Sequence, residues 1–195
     1  MDSPPVRTVT TAETDKAVDA LVLAFSADPT VRWIYPDPHQ FLAAWPAMIR
    51  AFGGKTIEHG SAYAVNGFAG VGLWLPPDIE PDEEELNAVI ESTVSETIIE
   101  DVGTVFEQMD AYHPQDGPCW YLPLIGVDPA HQGKGLGTAL MQHALAVCDR
   151  DGLPAYLESS NPANISLYER HGFDVLGKIQ VGSSPPIHPM LRQPR

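Results

Sequence analysis

Three glycines at alternate positions, Gly133, Gly135 and Gly137, follow an apolar run that ends at Asp128-Pro129. Without Cβ atoms, a backbone can approach a ligand closely. Leu136, Leu140, Ala144 and Val147 then recur every three to four residues, which predicts a helix closed by Gly152. A helix start offers unpaired N–H groups and the positive end of its dipole, so the stretch predicts an anion site, most naturally for phosphate. Two common phosphate loops fail on spacing. A mononucleotide loop needs Gly, four residues, then Gly-Lys-Ser/Thr; here Asp128 stands at the first glycine and Gly135 follows Lys134. A dinucleotide loop needs G-x-G-x-x-G, and the third glycine falls on Thr138 or Leu140.

A second constellation lies downstream over residues 157–173. Glu158 sits at the end of an apolar strand pattern, Asn161-Pro162 reads as a helix cap with proline at the first position, and Asn164 and Tyr168 follow on that helix. A carboxylate and a phenol are residue types equipped for proton transfer.

The elements that must carry these residues follow from the pattern. A strand over 120–127 feeds the glycine loop, a helix runs to Gly152, and a strand over 155–159 comes next; strand, helix, strand implies a parallel crossover in mid-sheet. Strands over 61–65 and 68–75 flank Asn66-Gly67, a type I′ hairpin signal. Upstream, a short strand over 6–9 precedes a capping box, Thr10-x-x-Glu13, and a helix with Val18, Leu21, Val22 and Phe25 on one face. Asp28-Pro29 stops that helix, and residues 31–36 read as an aromatic connector. Phe41, Trp45, Ile49 and Phe52 mark another helix, which Pro46 should delay or kink. Residues 83–112 hold one or two helices behind an acidic start, a helix over 163–171 ends at Gly172, and strands over 173–181 and 187–191 close the chain. The tail over 1–5 is expected to be loose. The result is an α/β chain with a mixed, mostly antiparallel sheet and helices on both faces, expected as a single domain over residues 1–195.

At 195 residues the chain can bury a real core. Its formal net charge of −15 argues against nucleic acid, which needs a basic face; the acidity serves solubility first, and tolerates or steers a cationic amine substrate. Cys119 and Cys148 sit in apolar patterns as buried thiols, and the histidines are not at metal-ligand spacing. With no signal peptide and no apolar run of membrane-spanning length, a cytoplasmic protein without membrane or metal is expected. The exposed last strand could pair between chains, giving a homodimer.

Gln132-x-x-Gly135-x-Gly137 resembles the acetyl-CoA loop of the GCN5-related N-acetyltransferase (GNAT) superfamily, and residues 157–173 resemble the strand and helix that complete its cofactor cleft. The resemblance covers residues from about 60 to 180. At finer grain, residues 131–137, 157–160 and 168–173 are similar to the puromycin N-acetyltransferase branch. The resemblance implies a splayed parallel strand pair that admits the pantetheine arm of acetyl-CoA beside the main chain of Ile125 and Val127. Main-chain amides of Gly133, Lys134, Gly135, Leu136, Gly137 and Thr138 would hold the diphosphate, with Gln132 bracing the loop; Lys134 adds a charge or is merely solvated. Asn164 bonds the cofactor arm or caps a turn. Tyr168 occupies the family's general-acid position. Glu158 is a general base or a structural acceptor, with His113 and His131 behind it. Trp33 and Tyr35 either wall the acceptor pocket, together with Glu158, or plug the core. The implied reaction is direct acetyl transfer to the primary amine of a small molecule in a ternary complex. Two readings stand against it: a non-catalytic acyl-CoA sensor, which would have a filled acceptor pocket, and a dinucleotide oxidoreductase with Glu158 on a ribose.

Overall fold

The computed structural model describes residues 4–195, so the first three residues of the expected tail lie outside it. Seven strands form one sheet: β1 (Val6–Thr8), β2 (Ala62–Val65), β3 (Gly70–Leu75), β4 (Trp120–Val127), β5 (Ala155–Ser159), β6 (Asp174–Val175) and β7 (His188–Arg192). Their order is β1-β2-β3-β4-β5-β7-β6. Every pairing is antiparallel except β4 with β5. The helices are α1 (Thr14–Ala24), α2 (Pro29–Ile34), α3 (Pro38–Gly53), α4 (Lys55–Glu58), α5 (Glu83–Thr93), α6 (Ile99–Tyr112), α7 (Leu136–Asp151) and α8 (Ile165–Arg170).

The central strands β2 and β3 are buried on both faces, as strands lacking polar alternation require. On β2, Ala62 and Ala64 join the core beneath α1, α3 and α5, while Tyr63 and Val65 face the core beneath α7. The hairpin signal holds in kind: Asn66 and Gly67 have positive φ of 49° and 65°. Val65 pairs with Gly70, however, so the loop spans four residues and Phe68 also turns left-handed, at φ 71°. No helix among the described residues is long and apolar enough to cross a membrane.

Four expectations need correction. The connector over 31–36 is mostly the helix α2, because Asp28 accepts the N–H groups of Thr30 and Val31 at 3.0 and 3.1 Å and starts a new turn where α1 stops. Pro46 neither delays nor divides α3, which begins at Pro38 behind an Asp37 cap. The strand over 173–181 shrinks to Asp174–Val175 and one bridge, Ile179 to Ile187. Its loop turns instead to α6, where Gly177 and Gly182 leave room for Tyr112 and Asp101. The final strand β7 is therefore not an edge: it lies between β5 and β6 with partners on both sides. Pairing of two chains through it, the expected route to a dimer, has no free edge to use.

Candidate active site

The glycine loop behaves as its spacing demands. Gly133 and Gly135 are left-handed, at φ 73° and 77°, and a Cβ built on either meets nothing within 4 Å. Helix α7 begins at Gly135 with no side-chain cap, whereas α2, α3 and α5 begin behind capping aspartates. Its first backbone bond runs from Ala139 N–H to the Gly135 carbonyl at 3.0 Å. The N–H groups of Gly137 and Thr138 are thus first-turn donors of a sixteen-residue helix. Gln132 braces the loop, its Nε2 donating to the Val127 carbonyl at 3.3 Å. An open cradle, uncapped donors and positive dipole fit a diphosphate.

Next to the loop, two strands part. β4 and β5 pair only from Trp120–Ala155 to Leu122–Leu157, while β4 stays paired with β3 as far as Val127. The next residue on β4 is Pro123, which has no N–H to give. It falls where the β3–β4 register slips, between Leu73–Leu124 and Leu75–Tyr121. A bulge is one of the few sheet positions that accepts proline. The gap beyond it is lined by Ile125 and Val127 of β4 and by Leu157 and Glu158 of β5. It can take an extended arm that pairs with strand backbone.

Loop and gap open into one cleft of about 710 Å³, which Gln132, Asn164, Tyr168 and Trp33 also line. Glu158 is carried into it by β5. Tyr121, in register with Tyr156 across the parallel pair, donates its hydroxyl to Glu158 Oε2 at 2.8 Å. Burial pushes the Glu158 acid up to about 7 from 4.5, against the opposing pull of the Tyr121 hydrogen bond. A carboxyl that exchanges its proton near neutrality is suited to acid–base work. Tyr168 projects from α8, stacked edge-on to Phe173 at 6.1 Å, and its hydroxyl has no hydrogen-bond partner among the described residues. Burial, and then the nearby Asp28 carboxylate, push its phenol well above 10. It therefore carries its proton throughout the neutral range.

The other expected residues divide. Asn164 lines the cleft and its side chain caps nothing. Lys134 turns away: its exposed ammonium donates to the Ala130 carbonyl at 3.2 Å. Trp33 is half-buried on the cleft wall, its Nε1 donating to Ser183 Oγ at 3.1 Å. Tyr35 is a correction, since it is fully buried with its hydroxyl 2.8 Å from Thr93 Oγ1 and belongs to the core rather than the pocket. The turn of α2 separates the two residues, placing them on different sides. His113 packs edge-on to Tyr121 and Tyr156, at 5.0 and 4.8 Å, behind the cleft, and burial lowers its pKa. His131 lines the cleft but leans on Asp128, 3.3 Å away. Among the described residues no group of three or more His, Cys, Asp or Glu could hold a metal ion.

Two participants escaped the sequence reading. Asp28 lines the cleft and also takes the Ser160 hydroxyl at 2.7 Å, which ties the α1–α2 corner to the end of β5. In the sequence Asp28-Pro29 marks only the end of a helix, and nothing local points to a partner 132 residues away. Tyr121 was read only as part of an apolar strand; the signal available was its matched place to Tyr156 across the crossover.

Comparison with known proteins agrees with this geometry. Residues 72–173 match the model of the acetyltransferase (GNAT) family. An uncharacterized N-acetyltransferase of Schizosaccharomyces pombe is 28% identical over 195 residues, covering 92% of this chain and 79% of its own. A mycothiol acetyltransferase of Gordonia bronchialis is 45% identical over 53 residues, which are 26% of this chain and only 17% of that relative. A solved structure described as histone acetyltransferase HPA2 and related acetyltransferase from Corynebacterium glutamicum has a TM-score of 0.72 at 28% identity, covering 100% of this chain and 98% of that one.

Proposed function

The chain belongs to the acetyltransferase (GNAT) family and is an acyltransferase, and on that premise we propose that it moves an acetyl group from acetyl-CoA directly to the primary amine of a small molecule. Members of the family generally use acetyl-CoA and act on small-molecule or peptide amines. Acetyl-CoA supplies the reaction with an acetyl thioester. The amides of Gly133, Gly135, Leu136, Gly137 and Thr138 hold its diphosphate, and the parted ends of β4 and β5 receive its arm beside Ile125 and Val127. Asn164, uncommitted to any cap, bonds that arm.

Glu158 takes a proton from the incoming ammonium, directly or through water, and frees the nitrogen lone pair. The amine nitrogen then bonds to the acetyl carbon as the carbon–sulfur bond breaks, Tyr168 gives its phenolic proton to the departing sulfur, and the second proton shed by the acylated nitrogen restores the phenol while Glu158 passes the first to water. Holding both reactants within about 3–3.5 Å in one cleft removes most of the entropy cost of the encounter. One observation carries the reading: the glycine loop, the strand gap, Glu158 and Tyr168 line a single continuous cleft.

The test mixes protein, acetyl-CoA and a panel of amines and follows free thiol. Amine-dependent release supports the proposal. Heat on titrating coenzyme A, with no release for any amine, alcohol or peptide, turns the reading to the acyl-CoA sensor. The open cleft favours the enzyme, because a sensor has no use for a second chamber beside the thioester.

A further inference from the structure

The far end of the cleft has a uniform wall. The segments running from α1 to α3 and from α5 to α6 give it Phe25, Trp33, Trp45, Phe52, Phe106 and Met109, with smaller aliphatic side chains between them. The polar residues these segments add are Asp28 and Thr30, and no lysine or arginine among them lines it. Asp28 is already committed to two N–H groups and the Ser160 hydroxyl. Glu158 takes the Tyr121 hydroxyl on Oε2, and a carboxylate has acceptor capacity beyond that bond. Glu158 is thus the carboxylate with most capacity left for an ammonium, and beyond it, Asp28 and Thr30 the wall is apolar save for the buried Trp45 Nε1–H.

We infer that the acceptor is a primary amine bearing a single positive charge on an apolar, ring-sized body. This rests on the acetyl-transfer reading above and narrows it. A second ammonium, or a peptide backbone, would have to leave water with nothing in that wall to pair it. A ring would instead bury its surface and meet Phe52 and Phe106, themselves 6.1 Å apart and edge-to-face, in the geometry aromatic groups prefer.

The experiment measures kcat/KM by thiol release, at saturating acetyl-CoA, for 2-phenylethylamine, 1,4-diaminobutane and Nα-acetyl-lysine amide. The first is expected to exceed the other two by about 100-fold, the rate equivalent of burying a ring-sized apolar group. Equal or better turnover of the diamine or the lysine amide overturns the inference and leaves acetyl transfer standing. Silence with all three, in protein that binds coenzyme A, overturns both. A second variant asks whether the wall is what selects. Phe106→Glu puts a second carboxylate into the wall of the cleft and is expected to narrow the preference over the diamine by about tenfold or more. An unchanged ratio, in a variant that still binds coenzyme A, assigns selection elsewhere and defeats the argument from the wall; if the variant does not fold, the substrate series on the unaltered protein still decides.

Discussion

Tyr168 and Glu158 share a cleft but not a condition. The Tyr168 phenol is held above its ordinary range and keeps its proton, whereas Glu158 exchanges its own near pH 7. That split is what distinct acid and base roles require. Tyr168→Phe removes a hydroxyl with no protein partner, so stability and coenzyme A affinity should hold while kcat falls by about 10²–10³-fold; a kcat within threefold of the parent, roughly a 0.6 kcal/mol effect, removes the acid role. For Glu158, kcat/KM should rise as pH climbs through about 7, and Glu158→Gln should abolish that limb and leave the one set by the amine itself. The stability consequence has the opposite direction. The folded chain keeps the Glu158 proton up to about pH 7, but the unfolded chain loses it near 4.5. Native stability therefore declines as pH rises between these values, by roughly 2–3 kcal/mol, and the loss persists above them. Glu158→Gln cancels it, so the urea midpoint of the variant relative to the parent should climb from pH 5 to pH 8. A pH-independent difference would show that the Glu158 acid is ordinary.

At the scale of elements, two glycines separate packing from binding. Gly126 on β4 lies beneath α1: an added Cβ would collide with Ala24 Cβ and sit 3.4 Å from Leu21 and Phe25. Gly126→Ala should cost about 1–3 kcal/mol in chemical denaturation. Because α1 leads directly to Phe25 and Asp28 on the cleft wall, KM for the acceptor should rise as well. Gly135→Ala meets no neighbour, but its φ of 77° is strained for any L side chain, at about 1–2 kcal/mol. Relieving that strain rotates the first turn of α7, so calorimetry should find coenzyme A bound about tenfold or more weakly. Unchanged affinity in a folded variant would mean that the diphosphate lies elsewhere. Gly135 declared itself by spacing, because a turn is local. Gly126 did not, since nothing in its neighbours on the chain announces a helix above it. The helix α2 was hidden for a related reason: six residues carry too little periodicity, and only the bonds from Thr30 and Val31 to Asp28 reveal it.

Over the whole molecule, the C-terminal strand is fastened from inside. Arg192 is 4% exposed and grips Asp149 of α7 with two bonds of 2.8 Å, while its Nε donates to the His171 carbonyl at 2.9 Å. The Arg195 N–H joins the same carboxylate at 2.8 Å. Arg192→Ala should cost about 2–4 kcal/mol, read by urea denaturation, since it strands a partly buried carboxylate and unpins β7 from α7 and α8. The guanidinium holds the Asp149 acid below its usual range, so the cost should shrink once acid protonates that group.

Read alone, the amino-acid order determined the glycine cradle, the Asn161-Pro162 cap, the crossover between β4 and β5, and the family resemblance from which the roles proposed for Tyr168 and Glu158 come. Each of these is written in a few adjacent residues, where backbone preference and period decide the outcome. Only the tertiary structure decided that β7 slides between β5 and β6, that Tyr121 steadies Glu158, that Tyr35 belongs to the core while Trp33 reaches the cleft, and that five helical segments give the cleft one apolar wall. Those facts depend on pairs of residues far apart in the chain, and one-dimensional order carries no distance between them.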